Sequence, residues 1–409
     1  MKILLVADGR SPITRRWVQT LHALDMDVAL VSTFPCPPVS DVDDLSVLPV
    51  AFGALSGSQA GGAKTSRRRV RRLVGGLRNV LLGGRYLLGP FSVELYARRY
   101  QSVLKRVKPD LVHALRIPYE GMLARHTLSG IPLIVSIWGN DLTLHARGSN
   151  AMAGATRQVL QRADGLMADT CRDLRLAFMW GFDPDKPTLN VPGAGGVDLV
   201  ELNRRYIGED PFMEDLPQDV PWVINPRGFR PGSVRNDVFF AAARKVVAVK
   251  PEVCFLCPAM AGQSEAQAWV KQHGLEQHVR LLPYLPQQRL WELFQRSTVS
   301  VSVSEHDGTP NSLLEAMGCG CLPVCGDIES IREWIVPGVN GLLVPPADAD
   351  LLAQAILAAL DNPLLRDNAA AYNQRMLAER AEVGVIRKRV RGFYEAIIQH
   401  TYLHGCQDG

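Results

Sequence analysis

The sequence predicts an α/β protein built from two doubly wound, parallel-sheet domains, and three observations carry that expectation. The chain has 409 residues, enough for two or three domains at about 100–200 residues each. Short apolar runs alternate with amphipathic stretches along most of its length, which is the rhythm of βαβ units. A stretch rich in Gly, Pro and acid, residues 195–221, interrupts the series and divides it into two.

The elements follow in order. KILLVA is a buried strand, and SPITRRWVQTLHAL is a helix with Ile13, Trp17, Leu21 and Leu24 on one face. MDVALVS, DLVHAL, PLIVSIWG, GLMADT and PTLNVPG are further short strands, each leading into a helical or polar segment. The second series runs WVINPRG, DVFFAAARKVVAVKP, VCFLCPA, SEAQAWVKQHG, VRLLPYL, QQRLWELFQRS, VSVSVSE, PNSLLEAMGCG, LPVCG, SIREWIVPG and GLLVPP, strand and helix in turn. Helices are expected from about Asp350 to Tyr402. The expected organisation is an N-terminal domain at 1–205, a linker at 206–221, a second domain at 222–385 and a C-terminal helix at 386–409.

Composition excludes several classes. Hydrophobic residues make up 47% and charged residues 21%, a globular balance that argues against disorder. The first strand leads into ADGRSPITRR, which lacks the glycine fingerprint of dinucleotide-binding folds, and no Walker, H-E-x-x-H or G-x-S-x-G pattern occurs. The eight cysteines follow no disulfide framework. Cys254 and Cys257, like Cys319, Cys321 and Cys325, sit in apolar strand-like runs and read as buried thiols rather than metal ligands. Asp183-Pro-Asp185 has a D-x-D spelling but falls in a loop, and no metal site is expected there.

The net charge of +4 is unevenly spread. Residues 61–110 hold 13 Lys/Arg against Glu94 and Asp110, so this arm carries +11 and the remainder −7. Within it Val70, Leu73, Val74, Leu77 and Leu81 share a helical face beside Arg67–Arg72, the pattern either of a segment that lies on an anionic membrane surface or of a flexible or core-packed insertion with a solvated basic face. Each basic residue near such a surface contributes about 1 kcal/mol. Nucleic acid is not expected as a partner, because Tyr86 is the single aromatic residue within 64–88. The N-terminal apolar run is only five residues long before Asp8, too short for a signal core or a membrane span. The expected location is cytoplasmic, peripheral on the cytoplasmic face of the membrane.

Ligands of open parallel sheets bind beyond the carboxyl ends of the strands. The richest such loop follows VSVSVSE. Gly308 permits a tight loop, and Pro310 or Asn311 starts a helix whose first N–H groups and dipole suit an anion. Asp307 before the helix and Glu315 one turn into it can border a single pocket, and a carboxylate pair there suits sugar or ribose hydroxyls.

The run Asp307-Gly-Thr-Pro-Asn-Ser-Leu-Leu-Glu315-Ala-Met, continued by Asn340-Gly-Leu-Leu-Val-Pro, resembles the donor-binding signature of the family-4 retaining glycosyltransferases of the GT-B fold, two facing Rossmann-like domains. Ser11-Pro-Ile-Thr14-Arg-Arg-Trp17, Lys108-Pro-Asp-Leu-Val-His113, Trp138-Gly-Asn-Asp141, Gly195-Gly-Val-Asp198 and Pro226-Arg227-Gly228 extend the likeness along the chain. The resemblance implies that Glu315 binds the nucleotide ribose and Asp307 the donor sugar. Backbone contacts would come from Gly308, Thr309, Asn311, Ser312 and Leu313. Arg227 would neutralise the leaving diphosphate, with Tyr284 also on the donor side. Ser11, Thr14, His113 and Trp138 would face the acceptor, with Asp141 a catalytic candidate.

Three positions depart from the family pattern. Asp307 stands where Glu is usual. Arg230 or Arg235 replaces a Lys that commonly follows the Arg. Trp138 stands where many members carry a His. The implied activity is metal-independent transfer of a hexose-type sugar from a UDP-, GDP- or ADP-linked donor to a glycan or lipid-linked acceptor, in polysaccharide or glycoconjugate biosynthesis. The alternatives are a sugar-nucleotide epimerase of the same fold and a non-catalytic nucleotide-sugar binding protein.

Overall fold

The computed structural model describes residues 1–51, 84–204, 211–230 and 232–405. The chain divides into two compact units, one formed by 1–195 together with 386 onward, the other by 196–385. Both are doubly wound.

Among the described residues the first unit has a seven-stranded sheet: β1 (Lys2–Ala7), β2 (Asp27–Ser32), β3 (Asp44–Val47), β4 (Leu111–Ala114), β5 (Leu133–Ile137), β6 (Gly165–Ala168) and β7 (Thr188–Asn190). Every pairing is parallel, in the order β3-β2-β1-β4-β5-β6-β7. The central strands are covered on both faces, which is why they read as unbroken apolar runs rather than alternating ones. Helix α1 (Pro12–His22) starts as its sequence dictates. The Ser11 side chain accepts from the Ile13 N–H and Pro12 occupies the first helical position. Trp17 and Leu21 are buried on its inner face. A helix over 84–94 and helices α2 (Ala97–Val107), α3 (Asn150–Arg162) and α4 (Cys171–Met179) add to the described cover.

The second unit has, among the described residues, a six-stranded parallel sheet ordered β10-β9-β8-β11-β12-β13. Its strands are β8 (Trp222–Ile224), β9 (Cys254–Cys257), β10 (Val279–Leu281), β11 (Val299–Ser302), β12 (Leu322–Gly326) and β13 (Leu342–Val344). Its longer helices are α5 (Asn236–Val249), α6 (Ser264–His273), α7 (Gln287–Arg296), α8 (Asn311–Gly318), α9 (Ala349–Asp361) and α10 (Pro363–Arg380). The last helix, α11 (Val383–Gly405), belongs to the first unit from Ile386 onward. There Ile386, Val390, Tyr394 and Ile397 join Trp17, Leu21 and Met167 in one core. Gly165 on β6 makes this possible, because a β-carbon there would collide with Ile397 Cδ1.

The organisation differs from the sequence expectation at three places, each for a packing reason. The first boundary falls at Gly195/Gly196 rather than after 205. The short helix Leu199–Leu202 anchors this segment in the second unit, where Leu202 packs with Leu313, Leu314 and Met317. The described part of the expected linker is core material: Met213 and Leu216 are buried with Trp222 and Leu293. The basic stretch 61–110 is not one arm, since α2 buries Tyr100, Val103, Leu104 and Val107. Residues 64–83, with Arg67–Arg72, lie outside the described residues. The edge strand β3 carries DLSV, too polar to show an apolar run. Cys254, Cys257, Cys321 and Cys325 are buried, and burial pushes their thiols up, Cys325 to about 12.

Candidate functional site

In each sheet the strand order reverses once, between β1 and β4 and between β8 and β11. Such switch points open a crevice beyond the carboxyl ends of the strands. Each unit places polar side chains at its own crevice.

In the second unit the chain leaving β8 turns sharply at Pro226-Arg227-Gly228. Gly228 sits at φ +62°, a conformation side chains disfavour. Two asparagines lock the turn. Asn225 Oδ1 accepts from the Arg227 N–H (3.2 Å), Asn225 Nδ2 donates to Asn236 Oδ1 (3.1 Å), and Asn236 Nδ2 donates to the Gly228 carbonyl (3.1 Å). All three links are buried, so each stabilises by about 1 kcal/mol and would cost more if left half-made. The turn aims Arg227 at the loop after β11. There its Nη2 pairs with Asp307 Oδ2 and its Nη1 donates to Ser312 Oγ (3.3 Å). Ser304 Oγ also donates to Asp307 Oδ2 (3.1 Å), and Ser330 Oγ donates to the Asp307 carbonyl (2.9 Å). The Nε of Arg227 is buried without a hydrogen-bond partner among the described residues.

Helix α8 begins directly after Pro310. The N–H of Leu313 already bonds the Pro310 carbonyl (2.9 Å), which leaves the first-turn N–H groups of Asn311 and Ser312 without an acceptor inside the helix. Thr309 is buried and accepts from Trp334 Nε1 (2.9 Å), pinning the loop. Glu315, buried one turn along, accepts from Gln287 Nε2 (3.0 Å). The structure thus puts Arg227 in contact with Asp307 and Ser312, with Gly308, Thr309 and Asn311 in the same loop and helix start; Glu315 lies one turn further on, held by Gln287, and the Leu313 side chain faces the core.

The two alternative arginines separate. Arg230 is exposed, and its guanidinium is held below its ordinary pKa first by the positive charge of Arg227, so the two cations are neighbours. Arg235 is paired with Asp237 (2.8 Å) and Glu305 (2.7 Å). Tyr284 stands exposed in the loop after β10.

In the first unit a pocket of about 360 Å3 lies at the β1/β4 crevice. Ser11, Thr14 and Trp138 line it, together with residues the sequence reading did not select: Arg10, Arg85, Tyr86, Arg116, Glu120 and His145. Thr14 Oγ1 donates to the Asp8 carbonyl (2.8 Å), which ties α1 to the end of β1. Asp141 is fully buried and meets four donors: Arg116 Nη2 (2.6 Å) and Nε (3.2 Å), and the N–H groups of Ile117 (3.0 Å) and Trp138 (3.3 Å). Its carboxylate therefore positions Arg116 and the Trp138 turn. Burial works against the charge on Arg116, but Asp141 and Glu120 outweigh it and its pKa lies above the ordinary value.

His113 lies in β4 rather than in the pocket. Its ring nitrogens are 2.6 Å from Tyr394 Oη and 2.7 Å from Ser136 Oγ, and burial lowers its pKa to about 3, so it is a neutral core histidine. Glu120 is buried and accepts from Thr33 Oγ1 (2.9 Å). Burial pushes its carboxyl up to about 7, with Arg116 and the Thr33 bond working the other way. It follows Tyr119, which is held at φ +66°. Burial, helped by Arg116, lowers His145 to about 4, and its Nδ1 lies 2.9 Å from Tyr86 Oη. A signal for Arg116 was present, since it directly follows the DLVHAL strand. Arg85, Tyr86 and Glu120 carried none, because each reaches the crevice from a loop or helix of no fixed pattern.

Comparison with known proteins gives two family matches. Residues 8–193 match the model of the glycosyl transferase 4-like domain, and residues 239–376 match that of glycosyl transferases group 1. The chain is similar to the D-inositol 3-phosphate glycosyltransferase of Streptosporangium roseum, 25% identical over 224 residues, which is 52% of this chain and 51% of that protein. The chain spans about half the length of the first curated relatives it matches. It is also similar to the phosphatidyl-myo-inositol mannosyltransferase of Mycolicibacterium smegmatis, 27% identical over 70% of both chains. Among solved structures, Anabaena Alr3699/HepE in complex with UDP-glucose superposes with a TM-score of 0.67 at 16% identity, covering 97% of this chain and 100% of the other. That last likeness is one of fold, GT-B.

Proposed function

The chain belongs to the group 1 glycosyl transferases, and on that premise we propose that it moves a hexose-type sugar from a nucleotide sugar to a glycan or lipid-linked acceptor, with retention of configuration and without a metal. One observation carries this reading: an arginine, an acid pair and a helix start converge at the second unit's switch point. Glu315, oriented by Gln287, is the ribose ligand. Asp307, oriented by Ser304 and Arg227, is the ligand for donor-sugar hydroxyls. The solved UDP-glucose complex of a protein with the same fold supports a UDP-linked donor, with GDP- and ADP-linked donors the alternatives.

The chemistry needs a stabilised leaving group. The bond between the sugar's anomeric carbon and the diphosphate oxygen breaks, and one to the acceptor oxygen forms on the same face. The acceptor proton passes to the departing diphosphate. Negative charge therefore grows on the diphosphate, where Arg227, its neighbour Arg230 and the N–H groups of Asn311 and Ser312 meet it with fixed donors. Two cations in one place is the arrangement a diphosphate relieves, which explains why Arg227 and Arg230 can be neighbours.

The first unit, with Ser11, Thr14 and Trp138 at its pocket, is the acceptor side. Over 84–95 it exposes Leu87, Leu88, Phe91 and Leu95, with Arg98 and Arg99 exposed next to them. Apolar groups beside cations suit an anionic cytoplasmic leaflet, where a lipid-linked acceptor would reside. No helix among the described residues is long and apolar enough to cross a membrane.

A thermal-shift screen with UDP-, GDP- and ADP-sugars tests the donor reading, since a ligand that binds the native state raises its melting temperature by mass action. One base should raise it above the others. No shift with any of them contradicts the proposal. Conversion of free nucleotide sugar to an epimer without acceptor would favour the epimerase reading.

A further inference from the structure

The acceptor-side pocket carries more cations than its carboxylates satisfy. Arg10 is paired with Asp8, through Nε (3.0 Å) and Nη2 (2.9 Å). Arg116 is paired with Asp141. Arg85 has no carboxylate partner among the described residues. Its guanidinium lies instead over the Tyr119 ring at 4.6 Å and the Phe34 ring at 5.6 Å. Arg10 lies 3.9 Å over that same Phe34 ring, so two like charges converge on one aromatic side chain. Convergence of cations costs energy unless an anion is shared between them.

Two further atoms point the same way. Arg85 Nε and Trp138 Nε1 are buried N–H donors without hydrogen-bond partners among the described residues, and both residues line this pocket. A buried donor left unmet costs about 1–3 kcal/mol. Both are donors, so what satisfies them must supply acceptor oxygens. The pocket's other lining carboxylates are engaged, Asp8 by Arg10 and Glu120 by Thr33, and so do not fill the role.

We infer that the pocket formed by Arg10, Arg85, Arg116 and Trp138 selects an acceptor bearing an oxyanion, a phosphate or a carboxylate group, whose oxygens bridge Arg85 and the Trp138 N–H. This rests on the reading of the first unit as the acceptor side and adds the acceptor's chemical class. Arg85 and Trp138 are the specificity determinants, and Asp141 is a positioning residue acting through Arg116.

Calorimetric titration with glucose 6-phosphate, glucuronate and glucose tests it. The wild type, Arg85→Gln and Trp138→Phe are compared, with UDP titrated into the same preparations. At least one anionic probe should bind the wild type about tenfold or more tightly than glucose, the value of one hydrogen bond to a charged group. Preference for glucose 6-phosphate alone assigns a phosphate, and equal preference for both probes assigns oxyanions generally. Arg85→Gln should reduce binding of the preferred probe to the level of glucose. Trp138→Phe, which keeps the ring and removes the N–H, should weaken it several-fold. Glucose matching both anionic probes, including the case where none binds, overturns the inference. So does selectivity that survives Arg85→Gln, or an Arg85→Gln variant that loses UDP while keeping the anionic probe. If UDP, GDP and ADP, titrated in the same way, all fail to bind while anion selectivity holds, the transferase reading falls and the oxyanion site stands without its acceptor role.

Discussion

In the second unit the candidate residues come from one loop-and-helix stretch, Ser304–Glu315, completed by a single turn at 225–230. In the first unit the pocket gathers Asp8 and Arg10 after β1, Phe34 after β2, Arg85 and Tyr86 from the helix over 84–94, Arg116, Tyr119 and Glu120 after β4 and Trp138 after β5. Both lie at the switch point of a doubly wound sheet. What differs is how their acids are used. Asp307, partly exposed, meets Arg227 and Ser304, and Glu315 meets Gln287, whereas Asp141 is fully buried under four donors and holds Arg116 in place. A recurrent ligand part can be read by one compact device. A varied ligand can be read by scattered loops on a rigid scaffold.

The largest effect that would break this comparison is on turnover. Glu315→Gln should lower kcat/KM for transfer or donor hydrolysis by about 10–100-fold, the scale of one lost hydrogen bond between the ribose and a charged group. Its melting temperature should stay close to wild type, because the amide oxygen that replaces the carboxylate can still accept from Gln287. Near-normal turnover would show that the acid pair is not a donor site. Asp141→Ala should do the opposite. Removing one partner of a buried ion pair costs about 3–5 kcal/mol, so chemical denaturation should show a large loss of stability. A fully stable Asp141→Ala variant would contradict the positioning role.

Glu120 sharpens the contrast through pH. Its folded pKa, about 7, lies above the ordinary carboxyl value of 4.5. Stability tied to the protonated form is therefore complete below that ordinary value and is lost as pH rises through 7. Each pKa unit corresponds to about 1.4 kcal/mol. Glu120→Gln, neutral throughout and still able to accept from Thr33, should accordingly gain about 2–4 °C or more on wild type between pH 5 and pH 8. A difference that does not change with pH would contradict the assigned burial. The smallest effect is expected at Tyr284, which is exposed. Tyr284→Ala should leave stability within about 0.5 kcal/mol and weaken nucleotide binding only several-fold, as a titration would show.

The fold was legible because buried parallel strands write themselves as continuous apolar runs, KILLVA and DVALVS among them. The polar edge strand β3 and the helix α2, hidden in a basic stretch, were not. The motif at 307–315 in the second unit was legible because its residues are contiguous. Its supports, Ser304, Gln287, Asn225 and Asn236, were missed because a hydrogen-bond partner from another element leaves no local spacing. His113 looked available as a strand-end histidine, yet Tyr394, 281 residues later, and Ser136 enclose it. Such long-range satisfaction exists only once α11 has packed on the sheet.

The transferase reading depends on one claim, that the second unit's switch point binds a nucleoside diphosphate through Arg227. Calorimetric titration of UDP, GDP and ADP into wild type and Arg227→Ala, with circular dichroism confirming the fold of each, addresses it directly. The account predicts saturable binding of one diphosphate by wild type and a loss of about tenfold or more in the variant. Equal affinity in the two proteins would contradict it.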